Sequence, residues 1–132
     1  MKSFSPSDLY ANAVPFHPSL LIEDETVAGV VGAKRYFARA YENQSKGHIP
    51  AALHDYRNAL VLCPTMFEAY FNMGLCYEQS RDAHRAIHAF EQVARLQESF
   101  KPIYRHLSQL YALQGNHEKA HHYDRIYRKF QS

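Results

Sequence analysis

His84 and His88 stand four residues apart, as do His117 and His121. On a helix that spacing puts two imidazoles on one face, where they could share a metal ion. His54, His88 and His122, however, recur at one fixed interval, which points to duplicated ancestry rather than to a ligand set. Both pairs are therefore expected on solvated helix faces. Cys63 and Cys76 are too few for a disulfide framework and lack a zinc spacing, so each is expected as a small core residue. Ser80, Ser99 and Ser108 have no strand-turn-helix setting that would expose a nucleophile. Glu23-Asp24-Glu25 suits a helix N-terminus electrostatically and has no acid/base partner. The expectation is no catalytic residue, no metal and no cofactor.

The elements must then be read for something other than catalysis. The chain has 132 residues, 46% hydrophobic and 21% charged, enough for one domain with a real core. Its net charge of +2 is mild, and Lys34, Arg35, Arg39, Arg81, Arg85, Arg125, Arg128 and Lys129 form no continuous stripe. Nucleic-acid binding is not expected. The apolar runs are only a few residues long, so no membrane insertion is expected. Met1-Lys2 is followed by Ser-Phe-Ser-Pro-Ser-Asp rather than an apolar stretch, and the expected location is cytoplasmic.

One interval organises the chain. Tyr36, Tyr70 and Tyr104 are 34 residues apart, and so are Ala52, Ala86 and Ala120. Ala40 with Gly74, Tyr56 with Phe90, Tyr77 with Tyr111 and Gly47 with Gly115 keep the same distance in register. Each unit reads as two helices: Tyr70, Met73, Gly74 and Tyr77 follow one helical face, and Ala86, Phe90 and Val93 restart on a second. Asp82 and Asn116 are placed to cap second helices, and Thr65 with Glu68 forms a potential capping box. Pro50 and Pro102 fall near helix starts, while Pro64 ends a helix. Ala40, Gly74 and Ser108 face Ala52, Ala86 and Ala120 where the two helices cross.

This pattern resembles the tetratricopeptide repeat. The second unit carries its signature in Tyr70, Met73-Gly74, Tyr77, Ala86, Phe90 and Val93. The first matches at Tyr36, Ala40, Ala52, Tyr56, Ala59 and Pro64, and the third at Tyr104, Leu107, Ser108, Tyr111 and Ala120. It departs at Arg39 and Asn43, where the family has Leu and Tyr, so Phe37 and Tyr41 are expected to supply the missing packing. The expected fold is all-α, a right-handed superhelical stack of three helix-turn-helix repeats. Repeats of about 33–66, 67–100 and 101–132 make a domain over 25–132. Residues 1–24 form an apolar N-terminal leader that docks on the solenoid or on another subunit. The third unit turns polar at His121, Asp124 and Arg128, as a solvent-facing cap would.

The resemblance also implies a site. First helices of the family line a concave groove that holds a peptide or helix of a partner. By position that face contains Lys34, Phe37, Ala38 and Tyr41, then Glu68, Phe71, Asn72, Leu75 and Gln79, then Arg105, His106, Gln109 and Leu113. Phe37 with Tyr41 and Phe71 with Leu75 would make an apolar floor. The implied function is a protein-protein interaction module, an adaptor or assembly chaperone. The alternative is a structural oligomerisation module whose leader fills the groove.

Overall fold

A computed structural model describes residues 27–131. The leader of residues 1–24 and the acidic triplet lie outside the described residues. Six helices follow in order: α1 Val27–Ser45, α2 Ile49–Leu62, α3 Phe67–Gln79, α4 Ala83–Leu96, α5 Pro102–Leu113 and α6 His117–Lys129. They pair as α1–α2, α3–α4 and α5–α6, and each pair packs on the next through α2–α3 and α4–α5. The described chain is thus an all-helical stack of hairpins.

The turn within each hairpin is built alike. Gly47, Arg81 and Gly115, spaced by the repeat, take left-handed backbone with φ of 78°, 59° and 78°. At each turn the next amide bonds back five residues: His48 to Asn43 O, Asp82 to Tyr77 O and Asn116 to Tyr111 O, all at 2.9 Å. These bonds satisfy carbonyls that a helix end leaves open. The second helices then start at once. Asp82 accepts from the Arg85 amide and Asn116 from the Lys119 amide. His48 makes no side-chain cap bond, and Pro50 sits in the first turn instead. Between hairpins α3 starts with Met66 as N-cap, one residue after Thr65, and the Met66 side chain makes no cap bond.

Small residues let the helices of a pair approach. Ser108 replaces the expected Ala or Gly and donates its hydroxyl to Ala120 O at 2.9 Å, closing α5 on α6. At Gly74 the neighbour is the ring of Phe90: a Cβ there would stand 2.2 Å from Phe90 Cε1. Among the described residues the core gathers in two clusters. One gathers Phe37, Tyr56, Met66 and Met73 between the first and second hairpins. The other gathers Phe71, Phe90, Ile103 and Leu107 between the second and third. The second hairpin contributes to both, so its sequence carries the repeat signature most fully.

Candidate functional site

The first-helix residues singled out by the sequence separate into two groups. Phe37, Phe71 and Leu75 are buried, and so are Glu68 and Asn72, at 2% and 0% exposure. They do not form an open floor. Packing between hairpins explains most of this. The Phe71 ring lies 5.7 Å from Phe90, 5.1 Å from Phe100 and 5.5 Å from His106. Phe37 meets Tyr56 edge-on at 5.4 Å and stacks along Tyr41. Tyr56 donates its hydroxyl to Gln44 and is also hydrogen-bonded by Asn72, which joins α3 to the first hairpin. Burial pushes the Tyr56 phenol up and the neighbouring Cys76 thiol up to about 12, so both stay neutral near pH 7.

The second group remains accessible. Lys34, Ala38, Arg105 and Gln109 are exposed, while Tyr41, Gln79 and His106 are half-buried. On α5, Arg105, Gln109 and Leu113 recur every four residues on one face, and Leu113 is 77% exposed. His106 Nδ1 lies 3.1 Å from Glu78 Oε1, tying this face of α5 to α3. The accessible apolar anchor is thus Leu113, and Phe71 is interior.

The atypical first helix has its own logic. Arg39 Nε and Nη2 donate to the two Asp55 carboxylate oxygens at 2.9 and 2.7 Å, and Asn43 adds a third bond at 3.2 Å. Asp55 is 3% exposed. A polar cluster therefore takes the place of the Leu-Tyr pair of the family, and Phe37 with Tyr41 supplies the aromatic packing nearby.

His84, His88, His117 and His121 are all exposed. Residues 117–121 read His-Glu-Lys-Ala-His, the spacing in which helical zinc sites set two ligands and a base. Among the described residues, however, no group of three His, Cys, Asp or Glu is placed to hold a metal ion. Reading the first helices alone missed a cleft of about 670 Å³ on the side of the second helices, between α2 and α4, floored by Tyr70, Met73 and Tyr77 of α3. The signal that could have found it is a comparison of the residues that differ between successive repeats.

The hairpins, their turns and the Gly74 approach all follow the 34-residue register. Family comparison agrees: the family described as TPR repeat matches residues 44–80, and that described as Tetratricopeptide repeat matches residues 67–100. Residues 44–100 are thus tetratricopeptide repeats. Its described fold is similar to the crystal structure of MamA, with a TM-score of 0.72 at 22% identity, over 76% of this chain and 58% of that one. This TPR chain thus corresponds to little more than half of MamA's length. No curated protein matches it. The third hairpin lies beyond both matched segments and is supplied by the structure. TPR repeats generally mediate protein-protein interaction. Among the described residues no helix is long and apolar enough to cross a membrane.

Proposed function

We propose that this TPR protein is an adaptor or assembly chaperone that holds a segment of a partner protein along its first-helix face. The observation that carries this reading is the Arg105-Gln109-Leu113 stripe of α5, where a 77%-exposed leucine stands in line with a cation and an amide. An exposed apolar side chain rimmed by polar groups is the usual form of a protein-binding patch. Lys34, Tyr41 and Gln79 extend the accessible face toward the first two hairpins. A cytoplasmic setting belongs to the same reading and suits the two free, buried thiols of Cys63 and Cys76. The test is capture of partners from the native source by the full chain and by an Arg105→Glu/Leu113→Asp variant. Proteins held by the wild type and lost from the variant support the face; an unchanged captured set refutes it.

A second reading is favoured by the closure of this face over the second hairpin, where Glu68 and Asn72 are buried. In it, residues 1–24 lie along the face and join subunits. Light scattering on the full chain distinguishes the two, since an adaptor face predicts a monomer and leader exchange predicts a stable oligomer.

A further inference from the structure

Ala89 and Tyr123 hold the same position in successive repeats, 34 residues apart. In the third repeat the Tyr123 ring lies against two tyrosines, 6.3 Å from Tyr104 at 24° and 5.8 Å from Tyr111 at 9°. Those two rings are only 6% and 7% exposed. Their counterparts in the second repeat are Tyr70 and Tyr77, which are only half-buried. Among the described residues no ring covers them, because the position of Tyr123 is filled there by the methyl group of Ala89. The space left is the cleft of about 670 Å³ between α2 and α4. That volume falls within the range of sites that enclose a ligand group.

The polar lining changes as well. Glu91 accepts the Tyr111 hydroxyl in the filled position, whereas Arg57, its counterpart, donates to the Tyr77 hydroxyl at 2.8 Å in the open one. Glu118 likewise corresponds to His84, and Arg85 keeps a cation where Lys119 stands. Arg85 is already paired with Asp82 at 2.8 Å, so among the described residues Arg57 is an arginine facing the cleft without a carboxylate. Val61, 77% exposed, lends an apolar rim.

We propose that this outer cleft is a second protein-binding site, which takes an aromatic side chain flanked by carboxylates from a partner segment. The ring stacks on Tyr70 and Tyr77 as Tyr123 does on their counterparts, and a neighbouring carboxylate meets Arg57. The site lies on the side of the second helices and is independent of the stripe on α5.

The experiment is an amide-detected NMR titration of the full chain with the capped peptide acetyl-Glu-Glu-Tyr-Glu-Glu-amide. Saturable shifts are expected at Val61, Tyr70 and Tyr77, and they should vanish when the peptide tyrosine is replaced by alanine. Ala89→Tyr, which installs the ring that the third repeat already accommodates, should weaken binding by about tenfold or more. Arg57→Glu should do the same at an exposed position that does not test the fold. Circular dichroism checks that Ala89→Tyr is folded; should it fail, Arg57→Glu decides alone. Absence of saturation, equal binding by Arg57→Glu, or shifts confined to Arg105 and Gln109 would each overturn the site.

Discussion

At the scale of single residues, the instructive position is Asp55. Its carboxylate accepts from Arg39 and Asn43, and the Arg39 bonds hold it below the usual carboxylate range against the opposing effect of burial. The folded state therefore binds that proton more weakly than the unfolded chain. The stabilisation is complete above the usual carboxylate range and is lost as pH falls through the depressed value. Asp55→Asn should cost about 1–2 kcal/mol at neutral pH in urea unfolding, because the neutral amide offers Arg39 and Asn43 a single, weaker acceptor oxygen and turns an NH2 group toward a donor. The gap between wild type and variant should narrow as the pH is lowered below the carboxylate range. Arg39 is 61% exposed on its side chain, so salt should erode part of the effect. A gap independent of pH would show that Asp55 acts by shape alone. From sequence, Arg39 and Asn43 were visible only as departures from the family. Their partner lies 16 and 12 residues away on another helix, which no local spacing reveals.

Among the helices, the turns and crossings test the repeat directly. Arg81 adopts at φ 59° what Gly47 and Gly115 adopt at 78°. A side chain is disfavoured in that conformation and glycine is not. Arg81→Gly should therefore raise stability by about 0.5–1 kcal/mol, read by chemical unfolding. Gly74 and Gly32 make an informative pair. A Cβ at Gly74 meets the fully buried Phe90 ring, so Gly74→Ala should cost about 1–3 kcal/mol by overpacking. A Cβ at Gly32 meets only the Leu62 tip at 2.7 Å, and Leu62 is 37% exposed and free to swing outward. Gly32→Ala should be neutral or slightly stabilising through helix propensity. Equal costs at the two positions would contradict the packing described. This scale was the most legible in sequence, because caps, prolines and the small residue at a crossing are short-range requirements that recur every 34 residues.

For the whole molecule, what matters is which residues face water once three hairpins are stacked. A single helix shows Phe71 and Leu75 on one face but not that Phe90, Phe100 and His106 close over Phe71. Periodicity therefore set Phe71 and Leu75 on one side of their helix and misjudged how deeply they lie, while the outer cleft needed positions 89 and 123 to be compared across repeats. The same distinction separates stability from binding. Phe71→Ala removes a ring held by three aromatic neighbours and should cost about 3–5 kcal/mol, with a lower melting temperature whatever its effect on partners. Arg105→Glu and Leu113→Asp alter side chains at the accessible end of the same face, and their melting should stay within about 0.5 kcal/mol of wild type. If the first-helix face holds a partner, only these two variants lose binding at unchanged stability, in thermal melts run beside a binding assay. Were Phe71→Ala to melt like wild type and fail to bind, the ring would belong to the site and the interior assigned to it here would be wrong.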